Sequence, residues 1–171
     1  MKMDHMQFMN KALELARQAL EAGEFPVGCI LVHDGRVIAQ GARVGVAGGG
    51  TGELEHAEMV AMARFENMEN APPPSEVTIY CTMEPCLMCF GALMIHGITK
   101  IVYAYEDAMG GGTALDRSTL PPLYRDAEVE ITPHVGRSQS LALFKAFFSR
   151  PDNHYWKHSL LAQYTLEQEA E

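Results

Sequence analysis

Pro85-Cys86-Leu87-Met88-Cys89, running on into Phe90-Gly91-Ala92-Leu93, is the stretch that decides how this chain is read. Thiols three residues apart project from one face of a helix. Pro85 suits a helix start, and a helix N-terminus lowers thiol pKa values, which favours the thiolate that binds metal. A lone C-x-x-C fits metal binding, thiol redox chemistry or chance. The second half of the pattern lies upstream, at His56-Ala57-Glu58. One imidazole and two thiolates fill three positions of a zinc tetrahedron and leave the fourth for water, as catalytic sites do. Glu58, two residues beyond the His, is better placed to handle protons than to bind the metal.

Outward from these segments the periodicity alternates. Apolar positions Met9, Ala12, Leu13, Ala16, Ala19 and Leu20 predict a helix over 8–22, closed by Gly23. Residues 27–33 and 36–41 read as strands joined by an Asp34-Gly35 hairpin turn. A glycine-rich loop over 43–53 follows (Gly45, Gly48, Gly49, Gly50, Gly52). It lacks the Lys-Ser/Thr of a phosphate-binding loop, so it reads as a border of the site ahead of His56. A helix over 55–65, a stiff Pro72-Pro73-Pro74 connector, a strand over 76–81 and a helix from Cys86 to His96 come next. Strands over 98–105 and 129–132, helices over 118–125, 138–149 and 154–168, and a Gly110-Gly111-Gly112 loop complete the chain. Strands alternating with helices imply crossovers and parallel pairing. The expected fold is an α/β, three-layer α/β/α sandwich around a five-stranded mixed sheet. The two helices bearing His56 and the Cys pair lie side by side on one face. No repeat or linker divides the 171 residues, which are expected to form one domain.

Composition is that of an ordinary globular protein, and no apolar run approaches bilayer length, so no membrane role is expected. Residues 1–10 carry no signal-peptide core, and four Cys, two in a metal motif, suit a reducing compartment; the expected location is cytoplasmic. A net charge of −9 weighs against nucleic acid, whose binding is driven by phosphate attraction. A local patch opposes that: Arg137, Lys145, Arg150 and Lys157 against Asp152, with Phe144, Phe147, Phe148, Tyr155 and Trp156 among them. The two readings are a solvated basic face of an amphipathic helix and a nucleic-acid contact.

The stretch from Thr82 to Leu93, with His56-Ala57-Glu58, resembles the metal segments of the cytidine deaminase-like zinc deaminases, among them bacterial tRNA adenosine deaminases and nucleobase deaminases. The likeness extends over 27–41, the helix at His56 and 129–148, most of the chain. It implies the α/β/α sandwich, one Zn2+ on His56, Cys86 and Cys89, Glu58 as the proton shuttle and ammonia as the leaving product. It also implies substrate contacts from the backbone at Ala57 and from the Pro85 carbonyl, and a homodimer. Asp107 matches an acidic residue that helps read the base in some relatives; a plain loop aspartate is the other reading. Glu84 is expected to satisfy nearby backbone donors. The departure from the pattern is Arg43, where relatives carry an asparagine after the hairpin. Either Arg43 contacts substrate and favours a carbonyl, carboxylate or phosphate on it, or it faces solvent.

Cys29 and Cys81 read as core thiols in apolar strands, and His96 as a helix-terminal His favoured by the dipole. A small heterocyclic base or nucleoside is the expected substrate, with tRNA wobble adenosine as the alternative. A structural zinc or redox module is the non-enzymatic reading; it would call for a fourth protein ligand or leave His56 and Glu58 unexplained.

Overall fold

The computed structural model describes residues 4–47 and 52–169, so Gly48, Gly49 and Gly50 of the glycine-rich loop lie outside the described residues. Strands β1 (Gly28–His33) and β2 (Arg36–Ala42) form the expected hairpin. Its Asp34 and Gly35 have φ of 47° and 73°, the paired left-handed turn that matches strand twist. Strand β3 (Thr78–Met83) joins β1 antiparallel, and β4 (Lys100–Tyr105) and β5 (Glu130–Thr132) extend the sheet in parallel. The order β2-β1-β3-β4-β5 is the mixed five-stranded sheet expected from the sequence.

Helices cover both faces because successive side chains along a strand point opposite ways. Ile30, Val32, Tyr80, Val102 and Ala104 face helix α1 (His5–Glu21) and its Phe8, Met9 and Leu13. Cys29, Leu31, Ile79, Cys81 and Ile101 face α2 (Ala57–Glu66) and α3 (Leu87–His96), which contribute Ala57, Ala61, Phe65, Phe90 and Leu93. Burying a side chain the size of Phe65 or Phe90 contributes about 1.5–3 kcal/mol. A short α4 (Pro122–Arg125), α5 (Arg137–Phe148) and α6 (Leu160–Glu167) follow. No helix among the described residues is long and apolar enough to cross a membrane.

Helix α2 is seated directly on β2. A Cβ added at Gly41 would lie 2.2 Å from the Ala57 carbonyl oxygen and 2.7 Å from the Ala61 nitrogen. Gly28 plays the same part under α1, 2.3 Å from the Ala12 carbonyl oxygen.

Several element ends differ from expectation, each for a local reason. Helix α1 begins earlier because the Asp4 carboxylate accepts from Met6 N–H as a cap. The segment expected as a helix over 118–125 is helical only from Pro122, since successive prolines at 121 and 122 bar an earlier start. The strand expected over 76–81 is displaced by a single 3₁₀ turn at Pro74–Glu76. The last helix starts at Leu160, not 154, because the Ser159 hydroxyl accepts from Ala162 N–H and the preceding residues turn.

The basic stretch is largely absorbed by the fold. Arg150 donates to the Leu20 carbonyl at 2.7 Å, and Lys145 to the Gln168 carbonyl. Arg137 grips Glu106 with two nitrogens, Nε at 2.9 Å and Nη2 at 2.5 Å, and Tyr164 adds its hydroxyl at 2.8 Å. Burial alone would raise the Glu106 carboxyl, but the donors from Arg137, its own backbone and Tyr164 outweigh it and hold the group at about 2.

Predictions follow from both contacts. Gly41→Ala forces α2 off the sheet and is expected to cost about 1–3 kcal/mol of stability in denaturant unfolding, and to lower zinc content. Because the Glu106 pKa is depressed in the fold, its stabilisation is complete above the unfolded value of roughly 4.3 and lost as pH falls toward 2. Glu106→Gln is therefore expected to lose about 1–3 kcal/mol at pH 7, the gap to the parent closing as pH falls through that window.

Candidate active site

Two helix starts meet at the site. His56 is the N-cap of α2 and Cys86 the N-cap of α3, and neither side chain caps its own helix. Such positions are ordinarily filled by Ser, Thr, Asp or Asn, which satisfy the first free N–H groups. Here both side chains are turned outward to one point, and the positive ends of two helices face it. Each helix had been expected to begin one residue or more earlier; starting after His56 and Cys86 is what frees those side chains.

His56 Nδ1 lies 3.5 Å from Cys86 Sγ and 3.5 Å from Cys89 Sγ. A tetrahedral zinc with Zn–S of about 2.3 Å and Zn–N of about 2.05 Å would separate nitrogen and sulfur by about 3.6 Å. The donors thus fit zinc in both chemistry and spacing. Contacts from Cys89 and His56 hold the Cys86 thiol down at about 4, against burial. The same sulfur contact, with burial, pushes Cys89 up, and the contact with Cys86 raises His56.

Glu58, one helical step on, is 3% exposed, and burial pushes its carboxyl up to about 7. Behind it, Cys29 and Cys81 face each other across β1 and β3; the three groups lie within 4.8 Å of one another. Burial raises both thiols, so they remain protonated and apolar, as core thiols.

Glu58 and His56 open into a cavity of about 150 Å³. Phe25, Val27, Met83, Met109, Trp156 and Leu161 form its apolar walls, and Arg43, Glu53, Glu84, Asp107 and Tyr155 its polar ones. Ala57 also lines it; as the first residue of α2, its N–H is one that a helix leaves without an internal partner. Pro85 does not line the cavity, and its carbonyl accepts from Gly112 N–H at 2.9 Å. Glu84 accepts from the Asp107 and Thr113 backbone N–H groups, each at 3.1 Å, and from the Thr113 hydroxyl. It organises the 107–113 loop, as its position suggested. Asp107 Oδ1 accepts from Met109 N–H at 3.0 Å and Gly110 N–H at 2.9 Å. Burial raises this carboxyl, and those two donors oppose the rise.

Arg43 does not face solvent. It is 3% exposed, with Nη1 donating to the Val44 and Gly52 carbonyls. His96 lies away from the cavity, its Nε2 3.4 Å from Glu66. Glu53, Tyr155 and Trp156 were not expected in the site. Their signal was faint: Pro151 and Asn153, whose side chain accepts from Tyr155 N–H, turn the chain so that the aromatic pair comes back over the cavity. Trp156 is held at φ 55°, a conformation a bulky residue adopts only when its surroundings fix it.

Comparison with known proteins agrees with this geometry. A family model described as the cytidine and deoxycytidylate deaminase zinc-binding region matches residues 2–105. The chain belongs to that family. It is 37% identical over 112 residues to tRNA-specific adenosine deaminase 2 of Xenopus tropicalis, covering 61% of this chain and 64% of the relative. It is 32% identical over 105 residues to the tRNA-specific adenosine deaminase of Streptococcus pyogenes serotype M18 (strain MGAS8232), covering 61% and 65%. The match therefore spans just under two thirds of the length of these curated relatives. Among solved structures, one from a study of A-to-I editing by tRNA:A34 deaminases superposes with TM-score 0.62 at 31% identity, over 80% of this chain and 98% of that one. Guanine deaminase from Nitrosomonas europaea gives TM-score 0.65 at 22% identity, over 83% of each chain, a likeness of fold.

Elemental analysis tests the donor set. The purified chain is expected to hold about one zinc, lost in His56→Ala, Cys86→Ser and Cys89→Ser together with a drop in thermal midpoint. Cys29→Ala is expected to keep the metal.

Proposed function

We propose that this chain is a zinc-dependent hydrolytic deaminase of an amino-substituted nucleobase or nucleoside, acting in the cytoplasm as a single-domain subunit of a homodimer. The observation that carries the reading is the placement of Glu58: a buried carboxyl beside three zinc donors, at the floor of a small cavity with apolar walls. A hydrolytic site needs a proton carrier there, and a structural zinc site does not.

His56 Nδ1 and the sulfurs of Cys86 and Cys89 would hold the ion. When bound, zinc supplies Lewis acidity that brings the pKa of a water in its open position to about 7. The rest of the work falls to the chain. Glu58 accepts a proton from the attacking water as its oxygen bonds to the amine-bearing ring carbon, and delivers it to the adjacent ring nitrogen. Glu58 then takes the remaining proton from the new hydroxyl and passes it to the amine; the carbon–nitrogen bond breaks, and ammonia leaves as the ring carbonyl forms. The N–H of Ala57, the first residue of α2, would donate to the ring, and Asp107 would meet it from the loop after β4, both residues lining the cavity. Phe25, Val27, Met83 and Leu161 exclude bulk water and stack against a flat heterocycle.

A second reading, deamination of the wobble adenosine of tRNA, is favoured by the names of the relatives at 32–37% identity. Weighing against it are the net charge of −9 and the engagement of Arg137, Lys145 and Arg150 within the fold.

Glu58→Gln is expected to retain zinc and lose about 10²–10⁴-fold in ammonia release. Normal turnover by a zinc-loaded Glu58→Gln protein would remove the role given to this residue. A panel of free bases, nucleosides and an anticodon stem-loop ranks the two readings; release from RNA alone would reverse their order.

A further inference from the structure

Among the described residues, Arg43 is the one arginine or lysine lining the cavity, and its two terminal nitrogens are held unequally. Its Nη1 is saturated by the Val44 and Gly52 carbonyls. Its Nη2 has the Tyr155 hydroxyl at 3.5 Å and a Glu53 carboxylate oxygen at 3.8 Å. Both are longer than the roughly 2.7–2.9 Å of a charge-assisted hydrogen bond. Glu53 is itself 58% exposed, so its hold on the buried guanidinium is weak. A donor left loosely paired in a site that excludes water is costly, and an acceptor on a bound ligand would complete it.

The other groups in the cavity decide which acceptor. Glu53, Glu58, Glu84 and Asp107 are all carboxyl groups, and two thiolates would offset the charge of a bound zinc, so a phosphate or carboxylate would meet mainly acids around Arg43. The volume of about 150 Å³ suits a single ring system. Resting on the deaminase reading above, we infer that the substrate is an amino-oxo heterocycle, and that Arg43 Nη2 donates to its uncharged ring carbonyl. Arg43 is thus a specificity residue, selecting rings that carry both an amine and an oxygen over rings that carry an amine alone.

Matched probes test this: cytosine against 4-aminopyrimidine, and guanine against 2-aminopurine, each pair differing by the ring carbonyl and the lactam N–H that goes with it. For the pair that is turned over, Arg43→Met is expected to lower the ratio of kcat/KM values, oxo member over oxo-free member, by about 10- to 100-fold; intrinsic ring reactivity cancels between parent and variant. Arg43→Lys, which keeps one charged donor, is expected to lower the ratio less, and it stands in should Arg43→Met fail to fold. A ratio unmoved by either variant would overturn the inference and make Arg43 a structural tie. So would an Arg43-dependent preference for a 5′-phosphorylated nucleotide over the free ring.

If no ring is deaminated, calorimetry on the zinc-loaded Glu58→Gln protein separates the two claims. Tighter binding of the oxo member, lost with Arg43→Met, sustains the carbonyl assignment while the deaminase reading falls. Equal binding of both members, or none, overturns it.

Discussion

The structure depends on the meeting of two helix N-termini at a point where neither helix spends its cap residue on itself. His56 and Cys86 occupy positions that elsewhere quiet the first free N–H groups of a helix, and here both turn their side chains to one shared candidate metal site. That exchange works because the helices are seated without slack. The Ala57 carbonyl rests against the bare Cα of Gly41, so the height of α2 over the sheet, and with it the position of His56, is set by the absence of one methyl group. Helix α3 is fixed from the other side, through Phe90 and Leu93 in the same apolar layer. Two backbone starts brought together in this way present a positive field to anything held between them, which favours thiolate over thiol.

Glu84 performs a comparable task for the opposite wall. Its carboxylate gathers Asp107 N–H, Thr113 N–H and the Thr113 hydroxyl, closing the loop after β4 over the Cys helix. Gly111 passes so close that a Cβ there would sit 2.4 Å from a Glu84 oxygen. These donors satisfy the buried carboxylate without a cation beside it.

Much of this was legible in the residues. The hairpin, the five strands, the parallel second half and the grouping of His56, Cys86 and Cys89 follow from periodicity of two or 3.6 and from turn and metal chemistry with strict geometry. What escaped the sequence lacked a local signal. For Arg43 the sequence leaves substrate-facing and solvent-facing readings open, because nothing nearby shows that Val44 and Gly52 curl their carbonyls around it and bury it. Tyr155 and Trp156 sit in a basic, aromatic stretch that reads either as a solvated helix face or as a nucleic-acid contact. Only the folded chain pairs Arg137 with Glu106 and anchors Arg150 on the end of α1. Element ends drifted where a side-chain cap or a proline pair, not apolar spacing, sets the start.

One consequence lies in how the cavity is divided along the chain. The region matched by the family model, residues 2–105, supplies the metal donors, Glu58 and Arg43, whereas Asp107, Met109, Tyr155, Trp156 and Leu161 come from beyond it. Reactive apparatus and part of the enclosure therefore come from consecutive lengths of polypeptide. Drift in the trailing third can remould which molecules are admitted while the machinery that transforms them stays untouched.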